Sequence, residues 1–210
     1  MTHESTDATT TTERIDALES MLAKTLELMT SISPDAEQRP TPCADFSVAD
    51  LLQHLAVWVR VFDGAVNDRE LLFDPFVEQG ASGTTIEDHA AVFAAAAESI
   101  VAGLRGRGVD SPMTMTADPL PGAMVMAMLL MEYVGHGWDL ATATGSDIPF
   151  SDREASIALD AARSIIQPEY RGTGMFDDEV VVGEDAPAID RFVGFLGRTP
   201  AWAALPTAAC

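Results

Sequence analysis

Two side chains in the second half of the sequence, Glu132 and His136, are of types that together could bind a metal ion. Because they are four residues apart, they lie on one face if the segment is helical. Glu132 directly follows the apolar residues 123–131, and a buried carboxylate needs a partner or a proton. Carboxylate and neutral imidazole are ordinary ligands of zinc and other divalent metals. In the alternative interpretation, Glu132 lies in water at the helix rim and His136 is hydrogen-bonded.

His54 favours the metal interpretation. At about 100° per residue it lies beside Trp58 on the flank of an apolar helical stripe, so it is predicted to point between helices. Two carboxylates are placed to bond the second ring nitrogens of the imidazoles: Asp50, one turn before His54, and Asp139, close to His136. Three protein ligands with one open position are typical of a catalytic metal site. The alternative is that His54 is a hydrogen-bonded core residue.

Two further residues are weaker candidates. Cys43, in the loop before the helix of His54, is either a ligand or redox thiol or, like most free cysteines, a small buried apolar residue. His89 follows Glu87 and Asp88 and is expected to be exposed. The sequence has no Ser-His-Asp order, phosphate-binding loop or dinucleotide-binding glycine pattern, so these chemistries are not predicted.

Apolar residues at spacings of three and four predict the helices that carry these side chains. Ser47 with Asp50, and Thr85 with Asp88, have the spacing of capping boxes, which open helices. Helices are predicted over residues 13–30, 47–67, 85–104, 121–145, 153–166 and 188–196. The fourth is apolar on every side around residues 123–131 and is therefore expected to be central. Residues 109–120 and 179–182 are expected to contain short extended pieces.

The order of these elements predicts the fold class. No internal repeat and no alternation of strands with helices is present. Four long helices joined by loops predict an all-α, up-down four-helix bundle with a short C-terminal helical extension. Residues 1–12 are expected to form a disordered tail, residues 13–146 the bundle, and residues 147–210 the extension packed on it.

Charge and cysteine content exclude several classes of partner. The chain has 33 acidic and 12 basic residues and a formal net charge of −21. Binding to nucleic acid or to anionic membranes depends on Lys and Arg and is therefore not expected. The two cysteines, Cys43 and Cys210, are too few for a disulfide framework. No apolar run has the length of a signal-peptide core or a membrane span, so we expect a soluble cytoplasmic protein.

Two segments resemble a known family. Residues 41–55, TPCADFSVADLLQHL, and residues 132–145, EYVGHGWDLATATG, are similar to the mycothiol-dependent maleylpyruvate isomerase metal-binding domain, which belongs to the DinB-like superfamily of four-helix bundles. The ending over residues 189–198, together with Trp202, resembles an actinobacterial branch of metal-binding members. The likeness covers most of the chain from about Glu13.

The resemblance implies a metal centre with His54, Glu132 and His136 as its ligands. The divalent metal would be Zn²⁺ first, with Ni²⁺ or another transition metal as alternatives. In related members the metal holds the sulfur of a small-molecule thiol, here mycothiol, as a thiolate. The isomerase carries a further α/β domain, whereas only about sixty residues follow Gly145 here. Neither Arg191 nor Arg198 is assigned to the substrate arginine of that domain.

Three hypotheses for function follow. The first is a metal- and mycothiol-dependent transferase or isomerase, whose partners are the small-molecule thiol and an electrophilic substrate; its catalytic residues are not assigned. The second is a non-enzymatic metal-binding or sensing protein of the same fold. The third is a helical interaction module whose polar core residues only pair with one another. Related bundles often form homodimers, but no surface patch in this sequence indicates one.

Overall fold

The computed structural model describes residues 10–44, 46–79, 85–172 and 176–203. Helices dominate these ranges, and the one sheet in them is a two-stranded antiparallel hairpin. The α-helices are α1 Thr11–Ser31, α2 Val48–Val66, α3 Pro75–Glu78, α4 Ile86–Arg107, α5 Gly122–Thr144, α6 Asp152–Ile165 and α7 Ala188–Phe195. The strands are β1 Met113–Thr114 and β2 Pro119–Leu120, and 3₁₀ turns cover Pro34–Ala36 and Pro168–Tyr170.

Side-chain caps fix where the long helices begin. The predicted capping boxes of Ser47 with Asp50 and of Thr85 with Asp88 are confirmed at the starts of α2 and α4. Ser151 caps α6 in the same way. Thr10 also forms a capping box, with Glu13, so α1 begins inside the predicted tail. Residues 1–9 of that tail lie outside the described residues.

The helices α1, α2, α4 and α5 form the bundle. Each packs against two of the others: α4 contacts α1 and α2, and α5 also contacts α1 and α2. Their facing sides are fully buried and include Leu18, Leu55, Phe93 and Leu130. Burying a side chain of this size contributes about 1.5–3 kcal/mol. The all-α fold class is therefore confirmed, with the predicted central helix α5 at its core.

The helices α2 and α4 end at the same end of the bundle. Arg107, the last residue of α4, donates hydrogen bonds to the backbone oxygens of Ala65 and Val66 at the end of α2. The two helices therefore run in the same direction, and the chain crosses the length of the bundle between them. Helix α3 lies in this crossover. Residues 80–84 of the crossover lie outside the described residues.

The C-terminal segment packs on the bundle through α6. Helix α6 contacts α5 and α1, and α7 packs on α6. The short strand predicted over residues 179–182 is not present, and no strand pairs with this segment among the described residues: the Val180 amide donates instead to the oxygen of Gly194 in α7. The extended piece predicted within residues 109–120 is present as the hairpin of β1 and β2. The boundary between bundle and extension at residue 146 stays a prediction. No described helix is both long and apolar enough to cross a membrane.

Candidate metal centre

Two bundle helices bring His54, Glu132 and His136 together. His54 comes from α2, and the other two come from α5. Oε1 of Glu132 lies 2.8 Å from Nε2 of His54 and 3.6 Å from Nε2 of His136. One ligand atom from each residue lies within 4.8 Å of the other two. The side chains are 15%, 17% and 12% exposed, in chain order. The three donors therefore converge at a site that is largely shielded from water.

Two glycines of α5 let the C-terminal segment pack closely beside this site. Gly137 follows His136 directly, and a Cβ at this position would lie 2.5 Å from Cζ of Phe150. The missing side chain lets Phe150 pack directly on α5 just before α6 begins. On the other side of His136, a Cβ on Gly135 would lie 3.2 Å from Cδ1 of Leu196. The two glycines allow the C-terminal segment to approach α5 at the level of His136.

Electrostatics keep Glu132 charged. Burial raises the pKa of the Glu132 carboxyl, but the neighbouring His136 and His54, and the hydrogen bond from His54, outweigh it and lower the pKa to about 2. An ionised carboxylate offers only acceptors. With two imidazole nitrogens it forms a nitrogen–oxygen donor set of the kind that suits zinc, nickel and related divalent ions. The residues present therefore fit such a metal.

Asp139 reaches the second nitrogen of His136. Oδ2 of Asp139 lies 3.0 Å from Nδ1 of His136, and the Asp139 side chain is fully buried. Burial raises the pKa of Asp139, but Arg198 outweighs it and lowers the pKa below its ordinary value. When Nδ1 of a neutral His136 donates to this carboxylate, the lone pair of the imidazole lies on Nε2, the nitrogen that faces Glu132.

Asp50 does not reach His54, so that predicted contact is wrong. Oδ2 of Asp50 accepts hydrogen bonds from the amide and the hydroxyl of Ser47, at 2.9 and 2.5 Å. The capping box turns this carboxylate toward the start of α2. Nδ1 of His54 is buried without a hydrogen-bond partner among the described residues. Instead, the rings of Phe46 and Trp58 flank the His54 ring, with centroids at 5.4 and 6.1 Å.

Cys43 lies beside the site and forms a second group with His136 and Asp139. One ligand atom from each lies within 4.8 Å of the others. Both carboxylate oxygens of Asp139 already accept from Arg198, so a cation in this group would compete with a guanidinium. Burial raises the pKa of the Cys43 thiol to about 11, although Arg198 opposes this. The group of His54, Glu132 and His136 is therefore the better metal site.

Two other residues considered in the sequence analysis, His89 and Arg191, lie away from these ligands. His89 was expected to be exposed, which is wrong: it is 7% exposed on the buried side of α4. Burial lowers its pKa, and it belongs to no group of candidate metal ligands in the part of the chain that the structure describes. Arg191 lines a cavity together with Arg163, Glu179 and Glu184, and none of the three candidate ligands lines that cavity.

Sequence reasoning did not find the role of Arg198. Its Nε and Nη2 atoms each lie 2.7 Å from an oxygen of Asp139, although the two residues are 59 positions apart in the chain. The sequence does signal the turn before Arg198, because Gly197 follows the last apolar residue of a predicted helix. It contains no signal for the distant carboxylate that Arg198 meets.

Comparisons with known proteins found a family model and two relatives that match this chain. A family model described as the mycothiol maleylpyruvate isomerase N-terminal domain matches residues 18–141. Two relatives, uncharacterized proteins from two strains of Mycobacterium tuberculosis, are each 28% identical over 173 residues, which are 82% of this chain and 90% of theirs. No solved structure gives a significant match. The matched range contains the three candidate ligands and Asp139, and Arg198 lies beyond it.

Proposed function

This chain belongs to the mycothiol maleylpyruvate isomerase N-terminal domain family, and from that premise we propose that it binds a divalent transition metal and uses it to activate a small-molecule thiol. One observation carries the proposal: Nε2 of His54 and Nε2 of His136, from two helices, both face Oε1 of Glu132. Three donors from two different helices meet between the helices, where a bundle would otherwise place apolar side chains.

The three ligands would be Nε2 of His54, Nε2 of His136 and a carboxylate oxygen of Glu132. Zn²⁺ is the first candidate, because three protein ligands and one open position form its usual catalytic site; Ni²⁺ is the alternative. When bound, a divalent cation lowers the pKa of a coordinated thiol and keeps it as a thiolate at neutral pH. With only one carboxylate among its ligands, the centre keeps one positive charge, which one thiolate neutralises.

The surrounding residues set the conditions for this chemistry. Asp139 orients His136 through Nδ1, and the rings of Phe46 and Trp58 cover His54. The thiolate sulfur, which we propose comes from mycothiol, would then form a bond to an electrophilic carbon. In a transfer reaction the leaving group departs with the proton that the thiol gave up. In an isomerisation the sulfur adds to a cis double bond, the resulting single bond rotates, and the sulfur leaves again.

A second candidate function is a non-enzymatic metal-binding or sensing protein. It is favoured by the position of Cys43, whose sulfur lies within 4.8 Å of a ring nitrogen of His136. A thiol of the chain itself would then compete for the position that a substrate thiol needs. In either case we propose a cytoplasmic location, because two cysteines are too few for a disulfide framework. We expect no nucleic-acid partner, because the net charge is −21.

Metal analysis of untagged protein tests the proposal. We expect about one equivalent of metal in the wild type and less than about a tenth in His136→Ala, since two remaining ligands bind weakly. His89→Ala is the matched control, because His89 is buried in the same bundle but lies outside the site. A wild-type content below about a tenth of an equivalent, or equal contents in wild type and His136→Ala, would remove the metal centre.

Titration with mycothiol separates the two candidate functions. Protein loaded with Co²⁺ should develop a sulfur-to-cobalt charge-transfer band when mycothiol binds, and Cys43→Ala should show the same band. No band at millimolar mycothiol would leave the non-enzymatic function. A band that is present before mycothiol is added and disappears in Cys43→Ala would identify Cys43 as a ligand.

A further inference from the structure

We propose that Arg198 is a positioning residue of the metal centre, and that the C-terminal segment beyond the family match thereby completes the site. Arg198 fixes the carboxylate of Asp139 against His136, and His136 in turn presents its other nitrogen to the metal. This inference rests on the proposed metal centre. It assigns a role to a residue that lies 57 positions after the last residue of the matched range, residue 141.

The contact between Arg198 and Asp139 is a paired, buried one. Nε of Arg198 donates to Oδ1 of Asp139 and Nη2 donates to Oδ2, each at 2.7 Å. The side chains are 13% and 0% exposed. Two parallel bonds from one guanidinium hold a carboxylate in a single orientation, which a lone ammonium does not. Oδ2 of Asp139 also faces Nδ1 of His136, at 3.0 Å, through its second lone pair.

A defined turn delivers Arg198 to this position. After α7, the Gly197 amide donates to Gly194 O and the Arg198 amide donates to Val193 O, both at 2.9 Å. These bonds form a Schellman turn, with Gly197 in the left-handed region at φ 90°. A Cβ on Gly197 would lie 2.7 Å from Cβ of Asp177. The chain therefore reverses at Gly197 in one way, and Arg198 points back toward α5.

The two imidazoles of the site differ in how they are held. Nδ1 of His136 bonds Asp139, whereas Nδ1 of His54 has no partner among the described residues. The orientation of the His136 ring therefore depends on the series of hydrogen bonds that links His136 to Asp139 and Asp139 to Arg198. If Arg198 is lost, Asp139 is left as a buried carboxylate without its cation, and it must turn away or bind another group. His136 then loses the group that fixes its ring.

Cobalt binding measured on four forms of the protein tests the inference. Arg198→Met keeps the length of the side chain but removes the two bonds, and it should weaken Co²⁺ binding about 10–100-fold. Arg198→Lys should restore part of the affinity, since it returns the charge without the paired geometry. Arg171→Met is the control: Arg171 bonds the backbone oxygens of Asp177 and Phe195, so its loss loosens the same segment without touching Asp139. It should stay within about threefold of the wild type, because the group that orients His136 is intact.

The double variant Asp139→Asn with Arg198→Met separates positioning from stability. It removes the buried charge with its partner, so its free energy of unfolding should recover relative to Arg198→Met, while its Co²⁺ affinity should stay weakened. If Arg198→Met fails to fold, the Co²⁺ affinity of the double variant is the test in its place. Wild-type affinity in the double variant, or in Arg198→Met, overturns the inference and leaves the proposed function standing. Absence of Co²⁺ binding by the wild type overturns the proposed function itself.

Discussion

Oε1 of Glu132 faces one imidazole from each of two helices, His54 of α2 and His136 of α5. This sets Glu132 apart from the other acids of the chain. Burial alone would raise the pKa of this carboxyl, yet the two histidines lower it to about 2. Asp50 illustrates the opposite case. Asp50 precedes His54 by four residues, as Glu132 precedes His136. Its carboxylate instead bonds Ser47 and caps the start of α2. Spacing on a helix therefore identifies which residues can meet, and competing hydrogen bonds decide which do.

Replacing Asp50 with Ala should destabilise the protein without affecting its metal centre. The variant loses the capping box of α2, which costs about 1 kcal/mol in the free energy of unfolding. Urea unfolding and a Co²⁺ titration measure the two effects. Asp88→Ala is the matched control, because Asp88 caps α4 in the same way. If Asp50→Ala weakened Co²⁺ binding more than about tenfold and Asp88→Ala did not, Asp50 would support His54 after all.

Replacing Tyr133 with Phe should leave stability unchanged or raise it by up to about 1 kcal/mol. Tyr133 is fully buried, and its ring packs against the rings of Phe62 and Phe93. Its hydroxyl has no hydrogen-bond partner among the described residues. A buried hydroxyl without a partner carries a desolvation penalty that Phe does not have. Urea unfolding of the wild type and the variant measures this. A loss of stability above about 1 kcal/mol would show that the hydroxyl is hydrogen-bonded.

At the scale of the elements, the sequence predicted the helices well because their signals are local. The caps at Ser47, Thr85 and Ser151, and the stop at Gly197, each act within about one turn. His89 was misjudged because its acidic neighbours outweighed a better signal. It lies four residues before Phe93, on the buried side of α4, so helical spacing alone places it inside.

Tertiary contacts account for what the sequence did not predict. The β-branched residues of the segment 179–182 favour an extended chain, but a strand needs a partner strand, and here α7 is the neighbour. The shared direction of α2 and α4, and the meeting of Arg198 with Asp139, both depend on how distant segments pack. Hydrophobic periodicity gives each helix its buried face and leaves the order of neighbouring helices open.

The ion pair that ties α6 to α1 should make stability depend on pH. Nζ of Lys24 lies 2.5 Å from Oε2 of Glu154, whose side chain is 8% exposed. Burial raises the pKa of Glu154, but Lys24 and Ser151 outweigh it and lower the pKa below its ordinary value. A lowered carboxyl pKa means stability that is present above about pH 4.3, the pKa of an unfolded Glu, and is lost as the pH falls through the folded value.

Glu154→Gln measures this contribution, because Gln keeps the capping box with Ser151 and removes the charge. The free energy of unfolding of the wild type should exceed that of the variant near pH 7, and the difference should shrink as the pH falls below about 4.3. Lys24→Met should show the same loss near neutral pH. A difference between wild type and Glu154→Gln that is constant from neutral to acid pH would exclude a role for the carboxylate charge.

At the scale of the whole molecule, the metal centre would connect three parts of the chain. His54 belongs to α2, Glu132 and His136 to α5, and Arg198 to the segment after α7, which packs on α6. A ligand that binds only the folded state stabilises it by mass action. The net charge of −21 adds a competing effect, because any divalent cation is attracted to an acidic surface. The two effects differ in their dependence on the type of cation and on salt.

Zn²⁺ or Co²⁺ should therefore raise the melting temperature of the wild type, and Mg²⁺ should not. A free metal concentration of about 100 times Kd adds about 2.7 kcal/mol, which corresponds to roughly 5–10 °C for a chain of this size. Mg²⁺ is the control cation, because it is attracted to surface carboxylates but binds imidazole poorly. His89→Ala should show the same rise as the wild type, and His136→Ala should show none. Thermal unfolding at moderate salt measures these melting temperatures. An equal rise in His136→Ala, or an equal rise of the wild type with Mg²⁺, would assign the stabilisation to the acidic surface and not to the three ligands.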